Sequence, residues 1–212
     1  MTTPVLIFGA GTLGQAALEV FQQNDIVVYG FLDDDTSLHN TTVRDVPVLG
    51  STDNTDYLAL LHEECSAHVA TATLAQRQRL IATLKAQYQT TPVNAIHPSA
   101  QLASAVTVGY GNLVDAGAIL GVGTSVGHCS IIHTHATVAH QATIGDYVEI
   151  GPGSIIGAGA TVNEQAFVGP GATIIGGVVI GAGASVGAGA VVLAPVPAGA
   201  AVLGNPAQPV KR

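Results

Sequence analysis

From Ile96 onward every sixth residue is aliphatic: Ile96, Leu102, Val108, Val114, Leu120, Val126, Ile132, Val138, Ile144, Ile150, Ile156, Val162, Val168, Ile174, Ile180, Val186 and Val192. Seventeen matches at one period fit neither the 3.6-residue spacing of a helix nor the alternation of a simple strand. Two positions before the aliphatic the residue is usually small, as at Ala118, Thr124, Ser130, Ala136, Ala142, Ser154, Ala160, Ala166, Ala172 and Ala184. The residue after it is often glycine, as at Gly109, Gly121, Gly127, Gly145, Gly151, Gly157, Gly169, Gly181 and Gly187. Such a unit reads as a short strand and a turn. The aliphatic points inward, the small residue fits a narrow interior, and glycine permits close backbone approach or positive φ. Three units close a triangular coil of 18 residues, so the 97 residues from Ile96 to Val192 give between five and six coils. Irregular strands of a β-sandwich would not hold so strict a period. The pattern predicts a parallel β-helix of hexapeptide repeats.

The first 95 residues carry a different pattern. Pro4–Phe8 is a buried-strand run, followed by a glycine-rich turn and a helix through about Gln23. Ile26–Phe31 is a second strand ending at Leu32-Asp33-Asp34-Asp35, and Pro47–Gly50 a short strand or loop. Asp53 is a plausible cap for a helix reaching about His62. Val69–Ala72 reads as a strand, Ala75–Tyr88 as a helix, and Val93–Ile96 returns the chain to the repeat. This βαβ…αβ order predicts a small Rossmann-like domain with a parallel sheet over residues 1–95, and the β-helix with its tail over 96–212.

Composition narrows the partners. Six Lys and Arg against 14 Asp and Glu give a formal charge of −8, which argues against nucleic acid, since a phosphate backbone needs a clustered basic surface. With 48% hydrophobic residues, 9% charged and 26 glycines, the chain is too apolar for a disordered tail and too turn-rich for a helical bundle. No 18-residue apolar span suits a bilayer and no signal-peptide pattern opens the chain, so a cytoplasmic protein without membrane insertion is expected. Cys65 and Cys129 make no disulfide framework and read as reduced thiols.

Gly9-x-Gly11-x-x-Gly14, with Asp33 about 20 residues on, has the spacing of a dinucleotide fingerprint. Its physical content is an anionic or diphosphate ligand close to a helix N-terminus, or merely a tight turn that needs small residues. A two-half NAD domain does not fit in this length. A nucleotide-sugar diphosphate is therefore at least as good a ligand, with Asp33 and Asp34 placed to read ribose or base. In the repeat, residues 18 apart share a column. His128, Asp146 and Glu164 form one, a surface stack or subunit contact rather than a metal site. His140 shares its column with Val122 and Ala158 and has the Gln141 amide beside it. A neutral imidazole is the natural general base near neutral pH, but composition does not choose His140 over His128 or His133.

Taken in order, GAGTLG, FLDDD, Val48-Leu49-Gly50, Ile96-His97-Pro98-Ser99-Ala100, ATVAHQATIGDYVEIGPG and Gly204-Asn205-Pro206-Ala207 resemble the NeuD/PglD-type sugar O- and N-acyltransferases over nearly the whole chain. The resemblance implies a left-handed, trimeric β-helix with acyl-CoA, most simply acetyl-CoA, in the groove between subunits, and no metal. It implies that the amino-terminal domain holds a nucleotide-sugar acceptor through Gly11, Thr12, Leu13, Asp33 and Asp34. It places the catalytic base on His140 beside Gln141, and coenzyme contacts on Glu149, Gly169, Pro170 and Ala188. Pro152, Pro170 and Ala188 indeed fall in one column. Two positions depart from the family pattern: Gln141 stands where an acid is usual, and Glu149 where a histidine is frequent. The Ala70-Thr71-Ala72 stretch also lacks the family's glycine-asparagine pair. The expected activity is acyl transfer from acyl-CoA to an amine or hydroxyl of a sugar. The alternatives are an inactive trimeric scaffold and, from the glycine motif, an NAD-dependent oxidoreductase.

Overall fold

The computed structural model describes residues 3–61 and 64–210, and the chain divides into two compact units, Met1–Pro98 and Ser99–Arg212. In the first unit a five-stranded sheet runs β3(Thr42–Val43), β4(Val46–Gly50), β2(Val28–Leu32), β1(Val5–Phe8), β5(Ser66–Val69). All neighbours are parallel except the β3–β4 hairpin, whose turn residues Arg44 and Asp45 both take positive φ, as a type I′ turn requires. The interior strand β1, paired on both sides, is buried along its whole length, which accounts for its unbroken apolar run. Helix α1(Thr12–Gln23) buries Ala17, Leu18, Val20 and Phe21. Helix α3(Leu74–Tyr88) buries Leu80, Ile81 and Leu84, with the Thr73 hydroxyl accepting from the Gln76 amide at its start.

Three local expectations shift. The cap is Asn54 rather than Asp53, and α2 spans only Thr55–Leu58; the expected end at His62 lies outside the described residues. The last strand is Ser66–Val69 and not Val69–Ala72, because β5 pairs residue by residue with β1 up to Phe8↔Val69 and then leaves the sheet. The buried His68 at its centre breaks the apolar pattern: its Nδ1 lies 2.9 Å from the Val93 carbonyl and its ring sits edge-on to Phe21.

Up to Val192 the second unit is built of two-residue strands that pair in parallel at a step of 18 residues, as in Ile119↔Thr137, Ser125↔Thr143 and Ile131↔Glu149; beyond it Ala201–Leu203 pairs with Ser185–Val186 and, antiparallel, with Gln208–Pro209. The strands form three faces. Face one carries Ile119–Leu120 and Thr137–Val138, face two Ser125–Val126 and Thr143–Ile144, face three Ile131–Ile132 and Glu149–Ile150. The second residue of each strand is the inward one. Leu120, Ile132, Val138, Ile150, Ile156, Val162, Val168, Ile174, Ile180 and Val186 are fully buried, each contributing roughly 1.5–3 kcal/mol relative to exposure. Leu102, on the first coil, stays 38% exposed, because no coil lies below it in the stack.

The repeat glycines divide into two jobs. Gly151 follows an inward residue, and a Cβ there would meet the Pro170 nitrogen of the next coil at 2.6 Å. Gly153 turns the corner at φ +64° with open space around it. Inside one corner, Asn112 and Ser130 form a polar ladder: Asn112 Oδ1 accepts from the Ser130 amide, and Ser130 Oγ accepts from the Val148 amide. Buried polar side chains are thus paired with the coils on either side.

Candidate functional site

Between β1 and α1 the chain turns through Gly9, Ala10 and Gly11, and the three motif glycines have different reasons to be there. Gly9 has φ +109°, and a Cβ would stand 2.7 Å from the Ala70 carbonyl oxygen. Gly14 is buried, and a Cβ would fall on the Gly9 carbonyl oxygen. Gly11 differs. It is exposed, its φ of −72° suits any residue, and a Cβ would meet no atom within 4 Å. The fold does not require glycine there. Gly11 is also the N-cap of α1, with no side-chain cap, so the first amides of the helix lack helical partners.

Gly9 and Gly11 line a cleft of about 170 Å³ that brings together Gly11, Thr12, Leu13, Asp33 and Asp34, all five expected from the sequence. The two acids are not equally free. Asp33 is occupied by the fold: its Oδ2 accepts from the Ala10 amide at 2.7 Å and its Oδ1 from the Asp35 amide. It thereby braces the glycine turn. Asp34 accepts from the Thr52 amide and hydroxyl and pairs with Arg79 at 3.2 Å. Partial burial works to raise the Asp34 carboxyl, but the Thr52 hydrogen bonds and Arg79 outweigh it and hold its pKa below the usual carboxylate value.

Sequence reading missed Thr52, Gln76 and Arg79, which line the same cleft. Arg79 is the only cation among the lining residues and suits an anionic ligand. A second cavity of about 350 Å³ adjoins it and shares Asp34, Thr52, Arg79 and Leu80. Thr71, two residues beyond β5, lines the cleft and has a buried hydroxyl without a hydrogen-bond partner.

In the second unit the remaining candidates fall on different corners of the coil. His140 and Gln141 turn the corner from face one to face two, both exposed, with the main-chain N–H of Gln141 donating to the Val122 carbonyl and the His140 carbonyl accepting from the Gly159 N–H. Gln141 takes φ +57°, and its Cγ extends toward Gly123 of the preceding coil. Among the described residues no hydrogen bond joins the Gln141 side chain to the His140 ring, so within one chain the amide does not orient the imidazole. The corner from face three to face one carries Gly169, Pro170 and Ala188, and Glu149 lies on face three just before it. Pro152, Pro170 and Ala188 are exposed in one column, tied by Gly171 N to Pro152 O and Gly189 N to Pro170 O, each 2.8 Å. Glu149 accepts from His133 Nε2 at 3.1 Å.

The third corner holds the expected His128 column. The Tyr110 amide donates to His128 Nδ1, the two rings stack at 3.9 Å, and the His128 amide donates to Asp146. Among the described residues no group of three or more His, Cys, Asp or Glu is placed to hold a metal ion, and no helix is long and apolar enough to cross a membrane. Cys65 and Cys129 are buried and form no disulfide.

Residues 4–84 match the family model of the PglD N-terminal domain, and residues 159–194 match that of the bacterial transferase hexapeptide (six repeats). No curated protein matches the chain at a significant level. Among solved structures, a mutant of GDP-perosamine N-acetyltransferase from Caulobacter crescentus, in complex with CoA and GDP-perosamine, is 31% identical, with 100% of this chain and 99% of that chain covered and a TM-score of 0.91. The acetyltransferase domain of PglB from Neisseria gonorrhoeae, in complex with acetyl coenzyme A, is 27% identical over 99% of this chain and 100% of that one, with a TM-score of 0.88. WeeI from Acinetobacter baumannii is likewise 27% identical over 99% and 100%, at a TM-score of 0.77. With a glycine turn and phosphate-compatible cleft in one unit, a hexapeptide coil in the other, and an end-to-end relative above 30% identity, this chain belongs to the NeuD/PglD-type family of hexapeptide-repeat sugar acetyltransferases.

Proposed function

We propose that the protein transfers an acetyl group from acetyl-CoA to an amino or hydroxyl group of a nucleotide-linked sugar. The observation that carries the reading is the cleft at Gly11. An exposed residue whose fold tolerates a side chain is nevertheless glycine, beside uncapped helix amides and Arg79. That is the chemistry of a diphosphate. The amides of Thr12 and Leu13 would take its oxygens, while Arg79 would exchange Asp34 for a phosphate. The nucleoside would continue past Asp34 toward the adjoining cavity, so Asp34 reads the nucleoside and Asp33 holds the turn. The relatives supply the class of both substrates, since the Caulobacter enzyme is described with CoA and GDP-perosamine and the Neisseria domain with acetyl coenzyme A.

The chemistry needs no metal and no covalent enzyme intermediate. The acceptor nitrogen or oxygen attacks the thioester carbonyl carbon while His140 takes its proton. The tetrahedral oxyanion is met by main-chain amides of the coil corners. Collapse breaks the carbon–sulfur bond, and the imidazolium returns its proton to the departing CoA sulfur. The coenzyme arm lies along the exposed column of Pro152, Pro170 and Ala188, with Gly169 beside it. His140 and this column occupy different corners of one chain, so the reading requires a neighbouring copy, as in a trimer. The reaction is placed in the cytoplasm, where acetyl-CoA and nucleotide sugars are supplied.

Calorimetric titration tests the layout. GDP- or UDP-linked amino sugars and CoA should each bind the free enzyme, and neither should displace the other. Mutually exclusive binding, or NAD binding in place of the nucleotide sugar, would overturn it.

A further inference from the structure

The sequence resemblance treats Glu149 as a coenzyme contact, yet its carboxylate is already engaged. His133 Nε2 lies 3.1 Å from Glu149 Oε1, and the two side chains are 20% and 30% exposed. A carboxylate is an acceptor only and would repel a polyanionic coenzyme. An imidazole held by that carboxylate would not.

The position of His133 in the coil gives the pair a direction. Residues 18 apart stack, so His133 shares its column with Gly151, Gly169 and Gly187. At Gly151 and at Gly169 a Cβ would crowd the main chain of the next coil, meeting the Pro170 and Ala188 nitrogens at 2.6 Å. The column carries side chains at His97, Asp115 and His133 and none beyond, since His133 is followed by three coil steps of glycine. Beside that bare strip runs the column of the half-buried Thr134 and the exposed Pro152, Pro170 and Ala188. At roughly 4.8 Å per coil, the strip below the imidazole is on the order of 14 Å long. That length suits an extended pantetheine arm.

Because Glu149 accepts at Nε2, the shared proton stays on that nitrogen, and Nδ1 is the atom left to face a ligand. The arm of coenzyme A carries two amides and ends in the thioester, which offers Nδ1 both donor and acceptor partners.

Resting on the proposed acetyl-CoA reading, we propose that His133 is the side chain that contacts the pantetheine–thioester end of the coenzyme, and that Glu149 is a positioning residue that fixes its ring. His140 then acts on the acceptor's proton, and His133 on the placement of the acyl donor. The two imidazoles serve different substrates.

The test is calorimetric titration of CoA into the wild-type protein and into His133→Ala, His133→Asn, Glu149→Gln, Glu149→Ala and the His133→Ala/Glu149→Ala double variant, with KM for acetyl-CoA and for acceptor measured in parallel. His133→Ala should weaken CoA binding roughly 10- to 100-fold, the range for a hydrogen bond to a charged or ion-paired group, and leave the acceptor KM unchanged. Glu149→Gln keeps an oxygen acceptor for Nε2–H and should stay within about threefold of wild type, whereas Glu149→Ala should approach His133→Ala. The double variant should be no weaker than His133→Ala alone, since both changes remove one unit. Wild-type CoA affinity in both His133→Ala and His133→Asn would overturn the proposal. So would additive losses, or a loss in Glu149→Ala that His133→Ala lacks. Wild-type protein that binds no CoA would instead overturn the acetyl-CoA reading beneath it.

Discussion

Replacing Gly11 by alanine separates a glycine kept for a ligand from a glycine kept for the fold. The new Cβ meets no atom within 4 Å and the backbone sits at φ −72°, so neither clash nor strain follows. Loss of glycine at the N-cap costs about 0.5–1 kcal/mol. Restricting the unfolded chain returns about 0.4–1 kcal/mol. The net change in stability is within about 1 kcal/mol, a shift in Tm of no more than about 4 °C for a chain of this size. Gly14→Ala is the control: its Cβ falls on the Gly9 carbonyl oxygen, and the turn must move. A loss of about 3 kcal/mol or more is expected there. Binding should rank the two differently. At Gly11 the methyl occupies the space a diphosphate oxygen needs to reach the helix amides, and each charge-assisted hydrogen bond lost is worth about 1.5–3 kcal/mol. Gly11→Ala should therefore raise the acceptor KM by roughly 10- to 100-fold with the acetyl-CoA KM unchanged. Differential scanning calorimetry and steady-state kinetics on the same preparations read both quantities. An unchanged acceptor KM in a folded Gly11→Ala protein would refute the reasoning, because it would show that nothing approaches that surface.

His140→Ala should lower kcat by roughly 10²- to 10⁴-fold with CoA affinity near wild type; retention of half the activity would move the base elsewhere. Asn112→Ala removes a fully buried side chain that accepts from the Ser130 amide and donates to the Gly127 carbonyl, so it should cost about 2–4 kcal/mol and lower Tm by roughly 5–15 °C. A shift under 2 °C would show that the ladder is dispensable. Burial, aided by nearby Arg77 and only partly opposed by the Val93 hydrogen bond, pushes the His68 pKa down to about 4. Its folded value lies below the unfolded one, so the unfolded chain takes up the proton first. Stability should be complete above about pH 6.5 and fall by about 2 kcal/mol on going to pH 5. Urea midpoints at pH 7.5 and 5 measure this, and a His68→Gln protein with the same pH dependence would assign the loss to other groups.

What the sequence revealed and what it hid follow from how each feature is encoded. The coil was legible because one six-residue geometry repeats, so each inward aliphatic, from Leu120 to Val186, is an independent reading of the same period. β5 was displaced in the reading because His68, a polar residue, sits at a buried strand centre with only its Nδ1 partnered, by the Val93 carbonyl from 25 residues away. Gly11 was legible as a motif member, but its difference from Gly9 and Gly14 lies in what surrounds each, which spacing does not carry. Asp33 shows the converse: its type and position suit a ribose contact, while the folded turn engages both of its oxygens. Arg79 was missed because it reaches the cleft from α3 across 45 residues to Asp34. The His133–Glu149 pair escaped column arithmetic because its members are 16 residues apart and meet diagonally between coils, not one above the other.

The most direct measurement follows an isotopic label from the acetyl group of acetyl-CoA. With wild-type protein and a GDP- or UDP-linked amino sugar, the label should appear on the nucleotide sugar in equal amount to the CoA thiol released. Both should fall together in Gly11→Ala and in His140→Ala. If both ligands bind but the label stays in acetyl-CoA, or appears only as acetate, the protein is not the transferase described here.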